Sequence, residues 1–446
     1  MTTRAGWQLS AYTVWGDDRT LVGGDPFRSL RLTRRGAAFV HDVLEHGHRA
    51  GSDPEHQLLD HLCRANLLTQ PTKAPVRTGD VTLVIPARAA PADVQRVLDA
   101  APGIAAIVID DGSPVPLRAR LTHDAPLRVV RHETSRGPAA ARNAGARLAS
   151  TRWIAFADAD VVAQPGWIEC LLAYASGCAA VAPRVITTGG GGLSGRFERA
   201  ACALDIGPHP GFVSPAGALS YVPSAALVVS REAFLAGAGF DETMPVGEDV
   251  DAVWRLAHQG VYYEPSVTVE HLARPSLRES LARRRRYGES SAALAERHPQ
   301  LMHHGSFPFV AALPWILAMA GRPLLAVGAA ASHLTLAPRS MATLPQSAAR
   351  RAALTGQRRS AEALTRLMVR PLFPVTLLLA LANKGFRRRA LIACAAALVA
   401  SRRTPEAAAW QLVDDAAYST GVWRVAISSR MPRLLLPRLR FGGRRG

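Results

Sequence analysis

Lysine is almost missing from this 446-residue chain: Lys73 and Lys384 stand alone among 53 basic residues, and the rest are arginines. With alanine so abundant, that skew reads as the imprint of a GC-rich genome rather than as a surface built for a polyanion. The net charge of +18 is also unevenly spread. After residue 271 there are 28 basic and 7 acidic residues, against 25 and 28 before it, so the excess belongs to the C-terminal third. Five cysteines (Cys63, Cys170, Cys178, Cys202, Cys394), odd in number and without a CxxC pair, exclude a disulfide framework or a zinc knuckle and fit a reducing compartment. The first 20 residues lack the apolar core of a secretory leader, so the chain is expected to start and stay on the cytoplasmic side. No apolar run reaches the ~20 residues of a spanning helix. The longest cover 307–321, 371–382 and 390–400, with Lys384 and Arg387 to Arg389 between the last two. No internal repeat is evident.

The chain divides into three stretches by texture. In residues 1–72, positions 21–26 read as strand then turn and 29–32 as a returning strand. Thr33 can cap a helix that runs to Gly47, with Phe39, Val40, Val43 and Leu44 at helical spacing. Asp53-Pro54 opens a second helix with Leu58, Leu59 and Leu62 inward. A hairpin with two short helices predicts a small winged-helix-like module, and 71–79 reads as a linker. From residue 80 to 274, strands alternate with helices: 81–87, 105–113, 127–133 and 153–160 as strands, with Pro138 opening a helix. That alternation predicts an α/β domain with a mostly parallel sheet and a ligand at the carboxyl ends of its strands. Residues 275–446 read as helical, basic and broken into apolar segments.

The acids fall where such a sheet binds its ligand. Asp158 and Asp160, two apart at a strand end, would lie on one side of the pleat and could share a hard divalent cation. Such an ion bridges the phosphates of a nucleoside diphosphate and neutralises charge as that group departs. Asp110-Asp111 ends an earlier strand, where a carboxylate could accept from a nucleobase or ribose. Arg136-Gly137-Pro138 leads into a helix carrying Arg142, which could face phosphate oxygens. Glu248 and Asp249 open a helix whose buried face is expected to be Val250, Val253, Trp254 and Ala257. A carboxylate there, if it faces the strand-end acids, is placed to take a proton from an acceptor hydroxyl. His271 follows a short strand and could reach the same cation. Taken singly, each has a plain structural reading: a turn, a helix cap, a surface arginine.

Together they have a more specific one. VIPAR, DDGS, RGPAAARNAG, DADV, GFDE with GEDVDAVWRL, and EH, in this order and spacing, resemble the family 2 glycosyltransferases of the GT-A fold. The resemblance covers about 195 residues. It implies an inverting hexosyltransferase that uses a nucleotide-sugar donor with Mn²⁺ or Mg²⁺. It implies Asp249 as the base; Pro86, Arg88, Asp110, Asp111, Arg136, Arg142 and Asp158 around the nucleotide sugar; and Asp158, Asp160 and His271 around the metal. The stretch LVGGDPFRSLRLTRRGAAFVHDVLEHG is similar to small peptide-recognition modules of the pyrroloquinoline-quinone-chaperone kind. Ahead of a GT-A domain, it resembles transferases that add glucose from UDP-glucose to a peptide-derived redox cofactor, with the precursor peptide as a partner of residues 1–72.

Other functions are weighed against this. A lipid or polysaccharide acceptor of the cell envelope stays open as an alternative. A nucleic-acid-binding winged-helix protein is disfavoured by the slightly acidic first 271 residues, and no nucleic-acid partner is expected. A nucleotidyltransferase would want a Gly-rich loop with a lysine after the first strand, and Pro86-Ala87-Arg88 is followed by none. Arg283 to Arg286 read equally as a solvated helix face or as a basic segment closing over a diphosphate. The arginines flanking the later apolar runs fit either packed helices or a segment on the anionic inner face of the membrane.

Overall fold

The computed structural model describes residues 6–11, 13–47, 50–69, 78–302, 306–341, 346–401 and 404–440. Most of the expected linker lies outside them. The chain forms two compact units. One comprises residues 1–14, 23–191 and 202–273, and the other 15–22, 192–201 and 274–446.

The first unit is built on a nine-stranded sheet whose main path runs Val161–Val162, Val261–Leu272, Ala180–Thr188, Ala226–Ser230, Trp153–Ala157, Val81–Ala87, Ala106–Asp110 and Leu127–Arg131. The Val81–Ala87 strand is parallel to both its neighbours, and Ala106–Asp110 is parallel to Leu127–Arg131. Ala226–Ser230 runs antiparallel between Trp153–Ala157 and Ala180–Thr188, so the sheet is mixed. Every residue of Val81–Ala87, Ala106–Asp110 and Trp153–Ala157 is buried, as continuous apolar strands covered on both faces should be. The expected α/β sheet is present, although mixed rather than mostly parallel, and its core includes Val84, Ile109, Phe156, Phe234 and Phe240. The last three rings sit 5.1 to 5.5 Å apart, centroid to centroid, in tilted or edge-on pairs.

At the N-terminal end of this unit the helix Arg34–His46 has the caps read from the sequence. Thr33 accepts from the Gly36 amide at 3.0 Å, and Gly47 closes the helix in the left-handed region at φ 70°. Val40 and Val43 are buried, while Phe39 and Leu44 are half-buried. In the next helix, Asp53–Arg64, Leu59 and Leu62 are buried. Gln8–Leu9 pairs antiparallel with Leu68–Thr69. Strands also form at Thr20–Gly23 and Arg28–Arg31.

The second unit is helical. Leu277–Arg297 packs along Pro405–Ser428, with Gly288 and Gly421 at the crossing, where a Cβ on either would strike the opposing backbone. Arg284 is buried there, and its guanidinium meets Glu198 at 3.4 Å, the Ala201 carbonyl at 2.7 Å and Asp414. A buried guanidinium among acids is part of a core, so for Arg284 neither expected role holds; Arg285 and Arg286 are exposed. Among the described residues no single helix is long and apolar enough to cross a membrane. Ala349–Val369 and Phe373–Ala382 reach that length and composition only together, across an 85° bend.

Candidate active site

Two strand ends set the site. The Trp153–Ala157 strand stops one residue short of Asp158, and 158–160 form a turn closed by the Val161 amide on the Asp158 carbonyl at 3.1 Å. The expected pleat alternation across Asp158 and Asp160 therefore does not apply. A turn rotates successive side chains differently from a strand, and the two carboxylates meet different partners. Asp158 Oδ1 accepts from Arg142 Nη2 at 2.5 Å. Asp160 Oδ2 lies 3.0 Å from His271 Nε2. The second contact is fixed by register, because Val161 pairs with His271 and the Leu272 amide donates to the Asp160 carbonyl at 3.0 Å.

Arg142 is the strut of the site. It comes from the helix Pro138–Leu148 and is 3% exposed. Its Nη1 lies 3.3 Å from Glu248 Oε1, and its guanidinium sits over the Phe240 ring at 5.5 Å. The helix Glu248–Leu256 is thereby brought to the strand-end acids, as a base at its first turn requires. Its buried face is turned from the expected one: Asp251, Ala252, Val253 and Leu256 are buried, while Val250 and Trp254 are only partly so. Arg255 makes this possible by neutralising Asp251 at 2.8 Å, so an acid can face inward.

The electrostatics follow from that burial. Burial lifts the Asp158 carboxyl above its ordinary range, with Arg142 opposing the rise and Asp160 adding to it. Glu248 is pushed up to about 7 by burial and by the neighbouring Asp249 charge, against Arg142. Asp249 is also raised by burial, although the amides of Val250 and Ser224 and the Arg142 charge favour its ionised form. Three carboxyls of raised pKa gather around one guanidinium, and Glu248, at about 7, is the one placed to exchange a proton near neutrality.

Asp110 and Asp111 are placed differently. Asp110 accepts from the amides of Ser113 (2.8 Å) and Leu117 (3.3 Å) and from Arg131 (2.6 Å). Asp111 accepts from His132 Nδ1 and Ser135 Oγ and from the amides of Arg136 and Gly137, all within 3.1 Å. Burial alone would raise both carboxyls, but these donors more than offset it and hold both below the usual range. Their oxygens are thus committed to shaping the loops that follow the strands, and Asp111 fixes the entry to the helix carrying Arg142. Pro86 is buried in its strand, and Arg88 is exposed just after it. The Arg136 guanidinium is exposed and lies 3.5 Å from Glu242.

Asn143, noted in the sequence only for its place beside Arg142, and Gly239 complete the frame. Asn143 donates to the Phe240 carbonyl (2.8 Å) and Glu242 (3.0 Å) and accepts from the Phe240 amide (2.9 Å). Gly239, at φ +63°, leaves room for it: a Cβ there would lie 2.6 Å from Asn143 Oδ1. Their signal in the sequence was position alone, within RNAG and GFDE.

Among the described residues no three His, Cys, Asp or Glu side chains form a ready-made metal cage. Asp160 and His271 nevertheless offer two donor atoms 3.0 Å apart, and Asp160 is half-exposed. That suits a hard cation which takes its remaining oxygens from a substrate diphosphate and water. Asp158 has one oxygen held by Arg142, so only the other could join.

The chain is similar to several known proteins. Residues 82–228 match the family model described as glycosyl transferase family 2. The pre-mycofactocin glycosyltransferases of Mycobacterium tuberculosis strains CDC 1551 / Oshkosh and ATCC 25618 / H37Rv are each 34% identical over 457 aligned positions, covering 96% of both chains. Among solved structures, a mannosyltransferase of Pyrobaculum calidifontis in complex with GDP-mannose and Mn²⁺ superposes with a TM-score of 0.46 at 18% identity. It covers 81% of this chain and 92% of that one. A glucosyl-3-phosphoglycerate synthase of M. tuberculosis, with Mn²⁺, UDP-glucose and phosphoglyceric acid, gives a TM-score of 0.33 at 21% identity over 49% and 79% of the two chains. With a GT-A sheet in its first unit, the chain belongs to the family of the pre-mycofactocin glycosyltransferases, within the family 2 glycosyl transferases.

Proposed function

We propose that this glycosyltransferase moves glucose from UDP-glucose onto pre-mycofactocin, the acceptor named for its M. tuberculosis relatives, with inversion. The observation that carries the reading is the Arg142 strut, which joins the Asp158 turn to the Glu248–Asp249 helix start while Asp160 and His271 pair beside it. Inversion needs one in-line displacement, in which an acceptor hydroxyl loses its proton on one face as the diphosphate leaves from the other. Asp249 takes that proton, its ionised form favoured by the Val250 and Ser224 amides and by the Arg142 charge. Glu248, charged only in part near neutrality, sets the field around Asp249 without competing for the same hydroxyl. Asp158, held by Arg142, faces the ribose side of the donor. Asp160 and His271 would hold Mn²⁺ or Mg²⁺, which supplies charge neutralisation for the leaving diphosphate. Pro86 and Arg88 border the nucleotide, Arg136 adds charge at its rim, and Asp110 and Asp111 act on it through the loops they hold.

The experiment is a pair of variants. Asp249→Asn should cut turnover ~10²–10⁴-fold while UDP-glucose still binds. His271→Ala should abolish the difference in donor affinity with and without Mn²⁺. Equal affinity with and without the ion in the unaltered protein would remove the metal assignment.

The division into 1–72 for peptide recognition, 80–274 for transfer and 275–446 for membrane contact belongs to the same proposal, with the precursor peptide as the partner of the first. In the last stretch Leu324 (87% exposed), Val327, Leu378, Leu381, Leu391 and Ile392 face solvent near Arg322, Lys384, Arg387 and Arg388. Apolar side chains beside cations fit the anionic inner face of a membrane.

A further inference from the structure

The N-terminal residues of the first unit grip a segment that ends at the proposed base. Asp25 accepts the Ala218 amide at 2.8 and 3.0 Å and the Leu219 amide at 3.0 Å. Asn66, 7% exposed, pairs with the Phe212 backbone in both directions: its Nδ2 donates to the carbonyl at 2.8 Å, and its Oδ1 accepts from the amide at 2.7 Å. Asn66 Nδ2 also lies 3.1 Å from the Asp25 carbonyl, so the two grips are tied together. The fit is close, because a Cβ on Gly217 would lie 2.5 Å from the Asp25 carboxylate and one on Gly211 2.7 Å from Asn66 Oδ1.

The gripped segment leads directly to the acids. Ser214 and Gly217 close a tight loop through the Leu219 and Ser214 carbonyls. The Ser220 carbonyl takes the Trp254 indole N–H at 2.8 Å, from the helix that Glu248 and Asp249 open. Val222 is fully buried. The Ser224 amide then favours the Asp249 carboxylate, and the Ala225 carbonyl takes the Asp158 amide at 2.9 Å. Only five residues, 220–224, lie between the last amide held by Asp25 and the carbonyl that holds Asp158.

From this chain of contacts we propose that Asp25 is a positioning residue of the transfer reaction, fixing the 214–225 segment that braces Asp249. Asn66 serves the same end at the start of the segment. The inference rests on the reading of Asp249 as base. It makes the N-terminal residues part of the catalytic apparatus as well as a candidate peptide-binding module. A binder that draws Asp25 away from Ala218 and Leu219 would slow transfer, and one that holds it there would favour it.

The test uses the full chain, UDP-glucose and pre-mycofactocin. Asp25→Ala should lower kcat for transfer about 10- to 100-fold, the scale expected when a reacting group is misplaced by about 1 Å. Its UDP-glucose Kd should stay within about twofold. Asp25→Asn, which keeps one accepting oxygen, should recover part of the loss, and Gly217→Ala should reproduce it from the other side of the contact. Unchanged transfer in Asp25→Ala overturns the inference, as does a parallel loss of donor affinity and thermal stability, which would make Asp25 a plain stabiliser. Asp249→Asn, run alongside, keeps the outcomes apart: if it retains turnover, the reading of the base has failed instead.

Discussion

Replacing Arg142 with methionine keeps most of the aliphatic volume and removes the one guanidinium between Asp158 and Glu248. Arg142 is 3% exposed and contacts the two acids at 2.5 and 3.3 Å. Breaking a buried ion pair from one side costs about 3–5 kcal/mol, because the remaining charges stay buried without a partner. For a unit of roughly 250 residues that corresponds to a fall in Tm of about 10 °C. The loss must also depend on pH. Asp158, Glu248 and Asp249 already have raised folded-state pKa values, and without Arg142 the largest influence opposing the rise at Asp158 and Glu248 is gone, leaving only His271 beside Asp158 and the Glu248 backbone amide. A carboxyl whose folded pKa is raised contributes stability that is present below its unfolded value and is lost as pH climbs through the folded one. Arg142→Met should therefore lie closest to the unaltered protein near pH 5 and furthest from it near pH 8. Differential scanning fluorimetry in EDTA, so that no cation replaces the guanidinium, reads both effects. A deficit under about 1 kcal/mol, or one of equal size at both pH values, would refute the strut.

Asp415 gives an independent titration in the helical unit. Burial pushes its carboxyl up to about 6, with Arg370 opposing and Asp414 adding to the rise. Its contribution should be complete below about pH 4 and gone above about pH 6, a change of about 3 kcal/mol at most. Asp415→Asn should flatten the decline of unfolding free energy over that window in chemical denaturation, and an unchanged slope would count against it. The membrane proposal predicts co-sedimentation with phosphatidylglycerol vesicles that weakens in 0.5 M salt. The Leu378→Ser/Leu381→Ser double variant should lose at least about tenfold in affinity, since each exposed leucine contributes about 1.5–3 kcal/mol when buried. Equal binding to phosphatidylcholine vesicles, or no binding, contradicts it.

Much of the frame was legible in the residues because local rules and tertiary structure agree there. Thr33 and Gly47 cap their helix as their types demand, and Val81–Ala87, Ala106–Asp110 and Trp153–Ala157 carry the continuous apolar character of buried strands. The carboxyl-end acids and the Glu248–Asp249 helix start followed from that alternation. What was not legible depends on contacts between distant positions. Arg142 looks in sequence like a phosphate ligand at a helix start, yet Glu248, 106 residues away, turns it inward as a strut. The pleat argument for Asp158 and Asp160 failed because the strand ends at Ala157, a matter of one residue. Asp111 carries no local sign that Ser135, Arg136 and Gly137 will take its oxygens. Asp25 and Asn66 sit in a stretch whose own pattern reads as an independent module, and only the folded chain brings them to residues 211–219.

The most direct measurement of the central claim is product analysis with full-length protein, UDP-glucose, Mn²⁺ and pre-mycofactocin. One UDP should be released for each hexose gained by the acceptor, with an inverted anomeric centre by NMR and no transfer in Asp249→Asn. No hexose on the acceptor and no acceptor-dependent UDP release across a panel of nucleotide sugars, or release of pyrophosphate in place of UDP, would contradict it.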